Sequence, residues 1–247
     1  MGDAAAVSDR TQVVVVSGAT SDIARAISAR LARRDTFICL LGRRAEALDE
    51  VAAHLRGLGG RCGVYVVDLM VDDTIRAMAT QLDRQFGRVD MLVHSAGAFA
   101  MGSLADATAD DFDRLYRTNV RGPYVLTRTL LDELRASHGQ VVFLNSTVGL
   151  HARSDVGQYA ATQHGLRALA DSLRAEVNRD GVRVLDVYLG RTATARQARI
   201  FALEGREYKP ELLIQPDDVA HMVVACLDLP RTAEVTEISM RPLIKSY

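Results

Sequence analysis

The feature that most constrains this chain is an alternation of two hydrophobic periodicities. Short runs rich in β-branched residues, Gln12–Val16, Phe37–Leu41, Val64–Val67, Met91–Val93, Gln140–Asn145 and Val182–Tyr188, read as strands buried on both faces. Between them, Asp22–Arg33, Glu46–Arg56, Thr74–Phe86, Ala109–Arg135 and Val156–Arg179 carry apolar residues every three or four positions, the period of a helix with one buried face. Parallel strands need a crossover between them, and the crossover is right-handed, so the pattern predicts an α/β fold. The expectation is a doubly wound parallel sheet in three α/β/α layers, a Rossmann fold. With five prolines, no low-complexity tract and no repeated block, residues 1–247 read as one domain, and the irregular stretch 190–216 reads as a lid over a site.

Charge and cysteine usage narrow the function classes. The 30 basic and 31 acidic residues leave a formal charge of −1, without the positive footprint that binding to a phosphate backbone requires, so no nucleic-acid partner is expected. Cys39, Cys62 and Cys226 are odd in number and scattered, which argues against a disulfide framework or a metal site and for a reducing, cytoplasmic setting. Met1–Arg10 carries no targeting or anchoring signal, and no apolar run approaches the roughly 18 residues of a membrane span. Lys209 and Lys245 are the only lysines.

The strand Gln12–Val16 runs into Ser17-Gly18-Ala19-Thr20-Ser21-Asp22-Ile23-Ala24 and then a helix. In an open α/β sheet this first turn is where a dinucleotide pyrophosphate sits, against backbone N–H groups and the positive end of the helix dipole. The segment holds a single glycine, and it reads equally as an ordinary tight turn capped by Ser21 or Asp22. Roughly 20 residues further on, where a carboxylate would bind the ribose hydroxyls of NAD(H), stand Arg43 and Arg44. Two guanidinium forks suit a 2′-phosphate, so NADP(H) is favoured over NAD(H). In Val67-Asp68-Leu69, Asp68 is placed either to accept from the adenine amino group or to cap the next helix.

Ser146 closes the fifth strand and Tyr159 lies near the start of the following helix. At this point the sequence resembles the short-chain dehydrogenase/reductase family over nearly its whole length. The resemblance is carried by the Ser17-Gly18 turn, Asp68, His94-Ser95-Ala96-Gly97, Asn119-Val120-Arg121-Gly122, the Ser146 and Tyr159 pair, and Leu189-Gly190-Arg191-Thr192. It implies hydride transfer between a nicotinamide and a carbonyl or alcohol carbon. Tyr159 would be the general acid for reduction, Ser146 would polarise the reacting oxygen, Asn119 would organise a proton-relay water, and Thr192 would contact the nicotinamide carboxamide. Ser95, Ala96, Gly97, Leu69 and Gly190 would line the cofactor site.

The chain departs from the family where chemistry is most sensitive. The family lysine four residues after the tyrosine is Gln163 here, in Tyr159-Ala160-Ala161-Thr162-Gln163-His164. On a helix, i and i+4 share a face, and a unit charge about 4 Å from a phenol at an effective dielectric near 20 is worth roughly 4 kcal/mol before desolvation. Gln163 can bond the ribose hydroxyls but brings no charge. Lys209 in the lid, His164, Arg153 and Arg191 are the cations that sequence logic offers as compensation. Asp22 and Ala24 replace two turn glycines, with the Asp22 carboxylate facing the pyrophosphate, and Leu189 replaces a proline.

The leading expectation is an NADP(H)-dependent ketone or aldehyde reductase; the alternative is a member of the same fold that has lost redox chemistry, as a binding protein or a non-redox lyase or isomerase. Met101–Ala107, Leu150–Gly157 and Thr194–Leu213 are the expected specificity segments, with Arg196 and Arg199 hinting at an acidic or oxygen-rich ligand. Similar proteins pair the helical stretches 109–135 and 156–179 across an interface, which implies a homodimer or homotetramer.

Overall fold

The computed structural model describes residues 11–244. The readings placed on Met1–Arg10 and on Lys245 lie outside the described residues. Element order is β1 (Gln12–Ser17), α1 (Asp22–Leu31), β2 (Thr36–Gly42), α2 (Ala45–Gly57), β3 (Arg61–Val66), α3 (Asp72–Phe86) and β4 (Met91–His94). It continues with α4 (Ala109–Tyr116), α5 (Gly122–Thr129), α6 (Leu131–Ala136), β5 (Gln140–Ser146), α7 (Gly157–Val177), β6 (Arg183–Leu189), α8 (Ala195–Leu203), α9 (Pro216–Leu227) and β7 (Glu237–Met240). All pairings are parallel, in the order β3-β2-β1-β4-β5-β6-β7.

The period of two along β1 divides the core. Val14 and Val16 join one apolar layer with Ile27 and Leu31 of α1, Leu48 and Leu55 of α2, and Val219 and Val223 of α9. Val13 and Val15 join the opposite layer with Ile75 and Leu82 of α3, Leu126 of α5 and Leu166 and Val177 of α7. All four valines are fully buried, which is why this strand shows no polar alternation. The strand order reverses between β1 and β4, so the turns leaving their carboxyl ends diverge and open the crevice in which such sheets bind ligands.

Several boundaries differ from the sequence expectation. Strand β3 begins at Arg61 rather than Val64, because its register with Phe37 of β2, not its hydrophobicity, sets where pairing starts. The predicted continuous helix 109–135 is broken into α4, a π-helical turn at Arg117–Arg121, α5 and α6. Pro123 has no N–H to offer the Asn119 carbonyl four residues back, and the ladder widens so that the Gly122 N–H meets the Arg117 carbonyl. Gly122 permits this path: a Cβ there would lie 2.9 Å from that of Leu69. Helices α8 and α9 and the half-exposed edge strand β7 were not predicted as elements. For α9 the signals were present, with Pro216 at its first turn, a capping box between Gln215 and Asp218, and apolar residues at helical spacing. Among the described residues, no helix is long and apolar enough to cross a membrane, and no cluster of His, Cys, Asp and Glu could hold a metal ion.

His94, closing β4, is stacked on Phe143 with ring centroids 4.7 Å apart, and its Nε2 lies 2.8 Å from Thr127 Oγ1. Burial pushes its pKa down to about 3. The folded value lies below the unfolded one of about 6.5, so the stability that neutral His94 contributes is complete above pH 6.5 and is lost as pH falls toward 3. Between pH 7 and pH 4 the loss is on the order of 3 kcal/mol. Urea unfolding at the two pH values checks this: His94→Asn lowers the acid sensitivity by that amount, and an unchanged difference would exclude His94 as its source.

Candidate active site

The carboxyl ends of β1, β4, β5 and β6 carry the residues of interest. At β1, Ser17 is buried; its Oγ donates to the Val93 carbonyl (3.4 Å) and accepts from the Ser95 and Ala96 N–H groups (3.3 and 3.5 Å). Its hydroxyl therefore staples β1 to β4 instead of facing a ligand. Gly18 adopts φ +62°, and a Cβ on it would stand 2.6 Å from the Ala96 backbone. The glycine is required by the approach of the protein's own chain as well as by any phosphate. Ser21 caps α1 through the Ala24 N–H (3.2 Å) and bonds Ser95 Oγ (2.8 Å), while the Thr20 carbonyl accepts from Arg25 Nε at 3.2 Å. Ile23 packs half-buried against the core below.

Asn119, on the π turn, holds the irregular segment that follows β4. Its Oδ1 accepts from the Ala98 N–H (2.7 Å), and its Nδ2 donates to the Ala98 carbonyl (3.0 Å) and to Thr162 Oγ1 (3.1 Å). Thr162 in turn donates to the Tyr159 carbonyl at 2.8 Å. Ser95, Ala96 and Gly97 are thus clamped between the first turn and α7. Asp68 closes the turn ahead of α3 by accepting from the Met70 N–H at 3.0 Å, and the cap position is Val71; Leu69 is buried against Gly122. Gly190 donates its N–H to the Met240 carbonyl (2.8 Å), and Thr192 Oγ1 donates to the Gly190 carbonyl (3.1 Å).

Ser146 and Tyr159 converge. The Ser146 hydroxyl is close enough to Tyr159 to lower its phenol pKa, and Phe99 meets the tyrosine ring edge-on with centroids 5.0 Å apart. Burial among Val148, Val156 and Ala160 raises the phenol above the ordinary tyrosine value, while the Arg196 charge and the neighbouring Ser146 hydroxyl pull it back. Sequence reasoning missed Asn145, which sets this geometry. Its Oδ1 accepts from the Ser146 N–H (2.7 Å), and its Nδ2 donates to the Gln163 carbonyl (3.3 Å) and to Asp186 Oδ2 (3.2 Å), tying β5 to α7 and β6. The available signal was a polar residue inside an otherwise apolar strand. Burial pushes Asp186 up to about 6.

The segment after β6 lies against the first turn. The Asp22 carboxylate accepts from the Ala195 N–H at 2.8 Å, so it caps α8 and does not simply face the pyrophosphate position. Three of the cations proposed as substitutes for the missing lysine are committed elsewhere. Arg191 is paired with Glu204 (2.7 Å), Lys209 with Glu207 (2.9 Å), and His164 Nδ1 lies 2.9 Å from the Ala160 carbonyl. Arg153 is exposed, and Arg199 Nε bonds the Ala195 carbonyl within its own helix at 3.4 Å. Two of the three segments expected to set specificity meet through the Gly102 N–H and the Asp155 carbonyl at 2.8 Å.

The donors fit a dinucleotide. The Asp22 and Ile23 N–H groups at the start of α1 have no partner among the described residues, as the geometry of a helix N-terminus dictates. Arg43 and Arg44 are exposed at the end of β2 and pair with no other described residue. Gln163 is buried, and its carboxamide makes no hydrogen bond to another described residue.

Comparison with known proteins identifies the family and the fold. The family model for short chain dehydrogenase matches residues 12–204, and the chain belongs to that family. A sepiapterin reductase of Chlorobaculum tepidum is 27% identical over 238 residues, covering 93% of this chain and 96% of its own. An alcohol dehydrogenase of the archaeon Thermococcus sibiricus, solved with 5-hydroxy-NADP, superposes with TM-score 0.86 at 25% identity, covering 96% of this chain and 99% of its own. An NAD+-bound xylitol dehydrogenase shares the fold with TM-score 0.85 at 22% identity, covering 94% and 98%.

Because Gly18 combines positive φ with a backbone contact, Gly18→Ala is expected to cost more than about 2 kcal/mol. Gly57→Ala, in open space at the end of α2, is expected to change stability by no more than about 1 kcal/mol, in the stabilising direction. Denaturant midpoints of the two variants check the contrast, and equal effects would refute the contact argument.

Proposed function

We propose that this protein is an NADP(H)-dependent reductase of a small ketone or aldehyde. The observation that carries the reading is the juxtaposition of Ser146 and Tyr159 at the carboxyl end of the sheet, beside a turn whose Asp22 and Ile23 amides have no partner among the described residues. When bound, the reduced nicotinamide supplies the hydride that adds to the carbonyl carbon. Tyr159 donates its phenol proton to the oxygen of that carbonyl, and the Ser146 hydroxyl donates a hydrogen bond to the same oxygen, stabilising the charge that develops there. Asn119 and Gln163 support the pair from the π turn and from α7. Thr20, Ser21, Asp22 and Ile23 form the turn that receives the pyrophosphate, with the Asp22 and Ile23 amides as donors. Asp68 and Leu69 would hold the adenine end of the cofactor, and Ser95 to Gly97, Gly190 and Thr192 would hold its nicotinamide end. Arg43 and Arg44 distinguish the reading from an NAD(H) enzyme, since an unpaired guanidinium pair is suited to a 2′-phosphate.

Fluorescence titration with NADPH and NADH tests the assignment. Tight NADPH binding is expected, with Arg43→Ala/Arg44→Ala losing about tenfold or more of the preference over NADH. Tyr159→Phe retains binding and loses on the order of 10²–10⁴ in kcat with carbonyl substrates. A wild-type protein that binds neither nucleotide would favour the non-redox reading, for which Gln163 and the Asp22 carboxylate at the phosphate turn are the supporting observations.

Self-association as a homodimer or homotetramer is part of the proposal. Phe112 and Tyr116 on α4 and Tyr124 on α5 are large apolar side chains left between 43 and 49% exposed on one side of the molecule's helical layer. Light scattering at micromolar concentration should give a multiple of 26.9 kDa, and a monomer mass would remove this part.

A further inference from the structure

Beneath the site lies a carboxylate that the packing of the core does not call for. Asp186 stands in the middle of β6 and is fully buried. Two residues earlier on the same face, Val184 joins the apolar layer under α7 with Leu166 and Ala170. An apolar side chain at 186 would continue that layer without the cost of burying a charge. No described Arg or Lys forms an ion pair with Asp186, and its Oδ1 meets no hydrogen-bond donor.

Four elements supply its surroundings. β5 contributes Asn145, whose Nδ2 donates to Asp186 Oδ2 at 3.2 Å. β6 itself contributes Tyr188, whose hydroxyl donates to Glu237 of β7 at 3.5 Å. From α7 come Arg167, 3.6 Å from the same Glu237, and Arg174, whose guanidinium is spent on Asp171 (2.8 Å) and on the Val184 and Thr236 carbonyls (both 3.0 Å). The link to the site runs through Asn145. Its Oδ1 accepts from the Ser146 N–H (2.7 Å), and its Nδ2 also donates to the carbonyl of Gln163 (3.3 Å), one turn beyond Tyr159 on α7. The turn Thr147–Gly149 closes over this amide: a Cβ on Gly149 would stand 2.8 Å from Asn145 Oδ1 and 3.0 Å from the Gln163 carbonyl oxygen. The carboxamide has no slack in which to shift.

We propose that Asp186 is a positioning residue: by holding the Asn145 carboxamide one way round, it fixes the segment carrying Ser146 against the helix carrying Tyr159. The physical reason is that an ionised carboxylate only accepts, so it takes the Nδ2 end of the amide and leaves Oδ1 to the Ser146 N–H. Burial pushes the Asp186 carboxyl up to about 6. Below that pH it carries a proton that can be donated to Oδ1, and the amide is no longer held in one sense; above it the hold is complete. Stability runs the other way. The folded value lies above the unfolded one of about 3.9, so the stability Asp186 contributes is complete below about pH 4 and is lost as pH rises through 6. Opposite pH trends separate a positioning role from a structural one. The catalytic consequence rests on the reductase reading; the coupling of Asp186 to Ser146 does not.

The coupling is measurable without cofactor. In protein labelled with 15N-serine, the Ser146 amide resonance is assigned by its loss in Ser146→Ala and followed from about pH 5 to about pH 8. In wild type it should titrate with a midpoint near 6, and in Asp186→Asn it should not. Asp186→Asn removes a buried charge and should unfold at no lower urea concentration than wild type at about pH 7.5. With NADPH and a carbonyl substrate, wild-type kcat should fall as pH drops through 6. Asp186→Asn should lose about tenfold or more in kcat at about pH 7.5, lack that acid limb and keep its KM for NADPH. A Ser146 amide that does not titrate in wild type overturns the proposal, as does one that titrates unchanged in Asp186→Asn. A variant with wild-type kcat, or one whose activity falls only in proportion to lost folding, overturns it as well. If wild type binds no NADPH, the reductase reading fails while the Ser146 titration still decides the role of Asp186.

Discussion

The close packing of the first turn onto the chain that follows β4 is the contact on which the rest of the site depends. Gly18 leaves no room for a side chain against Ala96, and the Ser17 hydroxyl takes two N–H groups from the same backbone. That contact fixes where the Ser95–Gly97 segment lies. Asn119 clamps the next residue, Thr162 continues the chain of bonds to the Tyr159 carbonyl, and Arg196 uses the Gly97 carbonyl as its rest. The positions of Tyr159, the segment after β4 and the Arg196 guanidinium are therefore linked through one short stretch of backbone. Buried polar groups in such a network are stabilising only when each is matched, and here nearly every atom in the sequence of contacts has its partner.

The same economy appears at β5. Asn145 is a buried amide in an apolar strand, and it spends its groups on the Ser146 N–H, the Gln163 carbonyl and Asp186. It thereby sets the height of Ser146 against α7, which is the coordinate that decides whether serine and tyrosine oxygens meet. The Asp186 carboxyl, raised to about 6 by burial, makes this support sensitive to pH from beneath the site.

Charge placement shows the largest difference between what family resemblance suggests and what this chain does. A lysine on α7 would carry its charge on the same rigid helix as the tyrosine. With Gln163 there, the helix brings no charge at that position.

Much of this was legible in the residues. The alternation of periods two and 3.6 determined the layers, and the ends of strands β1, β4 and β5 were readable to within a residue because burial on both faces leaves a continuous apolar run. The spacing of Ser146 and Tyr159, the Ser17-Gly18 turn and the Arg43-Arg44 pair were readable as well. Pro123 announced an interruption of the helix 109–135, although its outcome, a π turn presenting Asn119, required the packing of Gly122 on Leu69. What periodicity cannot carry is the destination of long polar side chains, because a guanidinium or carboxylate reaches across several residues and its partner can be distant in the chain. Asp22 meeting Ala195, Arg196 meeting Gly97 and Asn145 joining three elements are contacts between segments the sequence keeps far apart. Local pattern decided the sheet and its strand ends; tertiary packing alone decided which partners the long polar side chains find.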